Sequence, residues 1–180
     1  MSTPVERERS YTWKDPRLLA AAAQQVSGRE FLDQMSNGTL AVPPVCETTG
    51  IYLGKVGEGT ATFTLEPAEW HYNPIGSVHG GILSTLADSA LGCAVHSALP
   101  AGTGYTSLDL TIKFTRAATV DSGLITCLGR VVTMGRRAAT AEATITDASD
   151  RVIGHAVSTC LLFPFPSPAD NGRADVKHRV

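Results

Sequence analysis

Between His71 and Gly81 the chain reads His-Tyr-Asn-Pro-Ile-Gly-Ser-Val-His-Gly-Gly, the densest cluster of chemically capable residue types in the sequence. Asn and Gly suit a tight loop that exposes its backbone, and the Gly80-Gly81 pair leaves adjacent amides unshielded by Cβ atoms. If a helix starts there, its first N–H groups and positive dipole end can hold an anion, or an oxygen that gains charge during a reaction. The same glycines would equally serve to admit a neighbouring strand. Asp88 is the second anomaly. It is the only acidic or basic side chain between Gly80 and His96, and Leu86, Ala87, Ala90 and Leu91 surround it. A carboxylate in apolar surroundings is costly unless it is used or satisfied, and bonds to Ser84 or Ser89 are the structural alternative.

Gly80 and Asp88 are eight residues apart, about 12 Å along a straight helix, so they cannot both touch one carbonyl. An amide that polarises a carbonyl and an acid that attacks it, or activates water beside it, must then come from two subunits meeting about a two-fold axis. The spacing predicts an obligate dimer. His71 and His79 invite a metal reading, but the chain has neither HxH nor HExxH, and His96, His155 and His178 lie far away in sequence. No metal is expected.

The elements that position these residues follow from periodicity. Residues 1–14 alternate charges and are read as a flexible N-terminus. Asp15-Pro16 caps a helix over LLAAAAQQ, and Ser27-Gly-Arg-Glu30 has capping-box spacing before Phe31, Leu32 and Met35. Asn37-Gly38 ends that second helix, and Ala41-Val-Pro-Pro44 makes an extended connector. Residues 15–44 thus form a helical extension. A strand over about 46–55 and a second with Ala61, Phe63 and Leu65 flank the Gly57-Glu-Gly59 turn. Leu108, Leu110, Ile112 and Phe114 alternate with polar residues, the pattern of a strand with one core face and one wetted face. Further strands are read at about 121–134, 137–147 and 151–163, joined by short turns. Between the two groups, Gly80 to Leu99 forms one long helix that lacks Lys, Arg and Glu and should be nearly buried. The expectation is an α+β fold: a curved antiparallel sheet wrapped around one central helix over residues 45–163. Residues 164–180 have no periodicity and are read as a flexible tail.

Composition narrows the partners. With 180 residues, 43% apolar and 18% charged, the chain fits one globular domain. Net charge −2 lacks the basic excess that nucleic acid demands. No segment has membrane-span length and the start has no apolar leader, so a cytoplasmic location is expected. Cys46, Cys93, Cys127 and Cys160 lie more than thirty residues apart and read as buried, reduced thiols.

Asn73-xx-Gly76-xx-His79-Gly80-Gly81 followed by Leu86-x-Asp88-x-Ala90 resembles the signature of hotdog-fold acyl-CoA thioesterases of the phenylacetate-degradation (PaaI-like) type. The resemblance covers roughly residues 45–163. It implies hydrolysis of an acyl-CoA at a dimer interface, in a homodimer or a dimer of dimers, with no cofactor. It makes Asp88 the nucleophile or general base and the Gly80 N–H the group that polarises the thioester. Asn73 would orient water or carbonyl, and His79 would hold the loop or assist binding. A hydroxyl on the strand after the helix is implied too, with Ser107 preferred and Thr106 the neighbour. Arg136 and Arg137 in a hairpin turn, with Lys113 and Arg116 near a strand end, could meet the phosphates of coenzyme A beside Gly81, and a solvated turn is the alternative. A non-catalytic acyl-CoA sensor and a hotdog hydratase or dehydratase are the competing readings.

Overall fold

The computed structural model describes residues 5–165, so most of the expected tail lies outside the described residues. Three short helices lead the chain: α1 (Pro16–Ala23), α2 (Gly28–Ser36) and α3 (Pro44–Thr49). The first begins where Asp15 accepts from the Arg17 amide at 3.0 Å, and the second where Ser27 Oγ accepts from the Glu30 amide at 3.3 Å. α3 corrects the sequence reading, which ran a strand from residue 46. Pro44 presets the first helical φ and Gly50, at φ 72°, ends the turn in the left-handed region, so the strand starts only at Ile51.

Seven strands form one sheet in the order β1-β2-β5-β6-β7-β3, with β4 also paired to β7. They are β1 (Ile51–Gly57), β2 (Thr60–Leu65), β3 (Thr103–Ser107), β4 (Thr111–Phe114), β5 (Ile125–Met134), β6 (Ala138–Thr146) and β7 (Val152–Pro164). Every pairing is antiparallel. Pro164, read as tail, closes β7. The long helix α4 (Gly80–Ser97) lies in the concave face, where Leu86, Ala87, Ala90, Leu91, Ala94 and Val95 are wholly buried against Ile125, Ile145 and Ile153. Each large aliphatic chain sealed this way contributes about 1.5–3 kcal/mol. The sheet comes so close that a Cβ on Gly129 would lie 2.4 Å from the Ala90 carbonyl oxygen. Small residues on both elements set the radius of the wrap.

The strand predicted over 108–114 is broken. Ser107 ends β3, β4 begins at Thr111, and between them Asp109 accepts from the Thr159 amide at 3.0 Å while its carbonyl accepts from Ser158 Oγ at 2.7 Å. The side chain of Asp109 thus stands in for a missing ladder rung. Leu108 and Phe114, read as core residues, are 60% and 47% exposed. They lie along the β3–β4 edge, which among the described residues has β7 on one side and no strand on the other. An open edge with apolar side chains is a surface that a second strand can pair with.

The N-terminal helices close the other end. Leu19, Phe31, Leu32 and Met35 form a small core of their own against Leu53, Val56 and Cys93. The Gly28 amide donates to Leu99 O at 3.0 Å, and a Cβ on Gly28 would fall 1.8 Å from the His96 carbonyl oxygen. Only glycine allows α2 to dock there.

Candidate active site

The loop before α4 is built by its own side chains. Asn73 Oδ1 accepts from the amides of Ile75 and Ser77, at 3.1 and 3.2 Å, and Asn73 Nδ2 donates to Ser77 Oγ at 3.1 Å. Gly76, at φ 83°, turns the chain back, and Tyr72 bridges Val78. Asn73 therefore holds the loop that delivers Gly80. His79 caps the helix: its Nδ1 accepts from the Gly81 amide at 2.9 Å, and its carbonyl takes the amides of Ile82 and Leu83. Three of the first four helical amides are thereby satisfied. Among the described residues the Gly80 N–H has no acceptor, so the cap leaves one donor at the positive end of an 18-residue helix. It opens on a groove of about 370 Å³ that Asn73, Leu83, Phe114 and Arg116 line with it. A Cβ on Gly80 would stand 3.1 Å from the Phe114 ring.

Asp88 is not sealed. The sequence placed it inside a nearly buried helix, whereas the sheet stops at β3–β4 and leaves Gly81 and Asp88 exposed, with Ser84 and Thr85 half-buried between them. Ser84 Oγ donates to Gly80 O at 2.8 Å and Thr85 Oγ1 to Gly81 O at 3.0 Å, so these hydroxyls serve the helix backbone. The partner of Asp88 comes from the strand: Ser107 Oγ donates to Asp88 Oδ1 at 3.0 Å. Thr106, one position earlier on the pleat, faces the other way. Asp88 and Ser107 share a second groove of about 360 Å³ with Ser84, Thr85, Leu108 and Leu110, open along the free edge. The structure brings Asn73 and Gly80 to one groove and Asp88 and Ser107 to another, with His79 at the helix cap beside the first.

His71 belongs to neither. It is buried, its Nδ1 accepts from the Ala68 amide at 3.0 Å, and its Nε2–H donates to Thr49 O at 2.8 Å, a neutral ring that pins the 3-10 turn Glu69–His71 to α3. Burial lowers its pKa. Among the described residues no three His, Cys, Asp or Glu side chains cluster as a metal would need. The cysteines are free thiols. Burial pushes Cys93 and Cys127 up to about 12 and Cys46 to about 11, which leaves little thiolate for attack.

Arg136 and Arg137 occupy the β5–β6 turn, beside Leu99, Thr103 and Phe163 at the other end of α4. On their own chain they reach neither groove. Arg116 does, and Phe114 covers Gly80. Phe114 was legible only as a core residue, because its alternation does not reveal that the strand lies at an edge.

Residues 75–153 match the Thioesterase superfamily. The 1,4-dihydroxy-2-naphthoyl-CoA hydrolase of Listeria monocytogenes is 28% identical over 116 residues, which span 64% of this chain and 91% of that protein. A conserved protein of Pseudomonas aeruginosa is 28% identical with a TM-score of 0.64, over 68% of this chain and 95% of its own. A phenylacetic acid degradation-related protein of Ralstonia eutropha is 25% identical with a TM-score of 0.66, over 72% and 98%. The Escherichia coli PaaI protein, 21% identical with a TM-score of 0.67 over 77% and 98%, shares the fold. Among the described residues no helix is long and apolar enough to cross a membrane. The wrapped helix, the Gly-rich loop that caps it and the match across residues 75–153 give this chain a hotdog fold similar to that of the thioesterase superfamily.

Proposed function

We propose that the protein hydrolyses an acyl-CoA thioester at a site shared by two copies of the chain. The observation that carries this is the hydrogen bond from Ser107 to Asp88, set in a groove that opens along an unpaired strand edge. Edge-to-edge pairing of β3–β4 would cover Leu108 and Phe114 and run the two α4 helices past each other about a two-fold axis. The Gly80 end of one helix then faces Asp88 of the other, the arrangement that the separation of about 12 Å on one helix demands.

In that site the Gly80 N–H donates to the thioester carbonyl oxygen, and the helix dipole stabilises the charge it gains. Asp88, fixed by Ser107, takes a proton from water as the water oxygen attacks the carbonyl carbon. The tetrahedral intermediate collapses, the C–S bond breaks, and the sulfur leaves with the electron pair and takes up a proton. The products are the free acid and coenzyme A. A thiolate is a good leaving group, so one carboxylate and one oxyanion donor suffice without a strong general acid. His79 and Asn73 act on this step through the loop that aims Gly80.

The test is release of free thiol from a panel of aryl, medium-chain and long-chain acyl-CoAs. Hydrolysis of at least one, lost in Asp88→Asn with the dimer intact, is the expected result. Tight binding of acyl-CoA without thiol release would make the protein a sensor instead.

A further inference from the structure

A cleft of about 610 Å³ is not part of either groove. Trp70, 58% exposed, forms its wall together with Arg7, Arg9 and Val120. The Arg9 guanidinium sits 4.8 Å from the Trp70 ring centre and is held there by the carbonyls of Thr48 and Glu47, at 2.6 and 3.0 Å. An exposed indole backed by a fixed cation is a platform on which a flat base can stack. Arg7 pairs with Glu69, and Glu8 also lines the cleft, so the charges balance until an anion takes Arg7 from Glu69. Both partners of that ion pair are well exposed, at 68% and 61%, and such pairs are held weakly enough to exchange for a bidentate phosphate.

The cleft is also within reach of Gly80. The His79 amide donates to His71 O at 2.7 Å, so the backbones of residues 71 and 79 are adjacent. One residue further on each side are Trp70 and Gly80, which puts their Cα atoms no more than roughly 13 Å apart. A pantetheine arm is comparable in span to about four extended residues. The segment Arg116 to Val120 connects the two cavities: Arg116 and Ala118 line the groove at Gly80, Val120 lines the cleft, and the Val120 amide donates to the Tyr72 hydroxyl at 2.9 Å.

Building on the thioesterase reading, we propose that this cleft receives the 3′-phosphoadenosine end of coenzyme A, with adenine on Trp70 and a phosphate on Arg7. This moves nucleotide recognition away from Arg136 and Arg137. The experiment pairs kinetics with direct binding. Trp70→Ala should raise KM for a CoA thioester about 5- to 140-fold with kcat unchanged, the loss expected for one stacked base. It should leave hydrolysis of the matching pantetheine thioester, which lacks the nucleotide, as in the parent protein. In calorimetry, adenosine 3′,5′-bisphosphate should bind the parent protein, and Trp70→Ala and Arg7→Ala should weaken it, while Arg136→Ala/Arg137→Ala should not. Equal effects of Trp70→Ala on both thioesters, or nucleotide binding indifferent to Trp70, would overturn the subsite even with hydrolysis established. Trp70-dependent nucleotide binding in a protein that hydrolyses no thioester would keep the subsite and reject the catalytic reading.

Discussion

His96 should make the fold acid-sensitive. Its imidazole is 6% exposed on α4, between the Phe31 ring of α2 and the Tyr105 ring of β3, each 5.3 Å away between centres. Burial lowers its pKa from 6.5 to about 4. A ring that resists protonation when folded but accepts a proton when unfolded costs stability as the pH drops. Its contribution is complete above pH 6.5, the unfolded value, and falls away as the pH descends toward 4. Between roughly pH 7.5 and 5 the linkage amounts to about 2 kcal/mol, and the full shift to about 3 kcal/mol. For a chain of this size that is a drop in Tm of about 4–8 °C at pH 5. The assay is chemical or thermal denaturation across that range at fixed protein concentration, for the parent and His96→Leu. His71, whose pKa burial also lowers, titrates in both proteins and cancels in the comparison. His96→Leu can be less stable at every pH, yet its curve should be flatter by about 2 kcal/mol over the interval. Parallel curves would show that the imidazole is not the group responsible.

Three further substitutions probe the site and its support. Ser107→Ala removes the hydroxyl that donates to Asp88 and should lower kcat about tenfold with KM little changed, read by thiol release. Gly80→Pro deletes the free amide at a helical position where proline is tolerated, after a residue already extended at ψ 135°; kcat should fall about 10²–10³-fold, with Gly80→Ala as the control for the added Cβ near Phe114. Gly28→Ala drives a methyl into the His96 carbonyl and should cost about 1–3 kcal/mol or detach α2, visible as faster proteolysis of residues before about 44.

The sequence was most informative where local chemistry decides the outcome. Asp15-Pro16, Ser27-Gly-Arg-Glu30 and His79-Gly80-Gly81 each mark a helix start that capping produces. The turn at Gly57–Gly59 followed in the same way. It was least informative where the fold overrides the local pattern. Leu108 and Phe114 alternate like core residues, but whether a face is buried depends on how many strands stand beside it, and β3–β4 lies at the edge. For the same reason Asp88 read as desolvated: an apolar helix does not reveal where the sheet stops wrapping it. Asn73 was assigned a role toward substrate, and the bonds its Oδ1 and one Nδ2–H make within its own loop belong to turns that only the coordinates show. Trp70 and Arg9 meet across about sixty residues, a separation at which no sequence pattern operates.

The central claim is that one copy of the chain supplies the acid and the other the amide. Asp88→Asn and Gly80→Pro chains, each inactive alone, should regain one working site when combined in verified mixed dimers, with roughly half the parent activity per dimer. Mixed dimers as inactive as either variant alone would mean that Asp88 and Gly80 serve a site within a single chain, and the two-copy arrangement would be wrong.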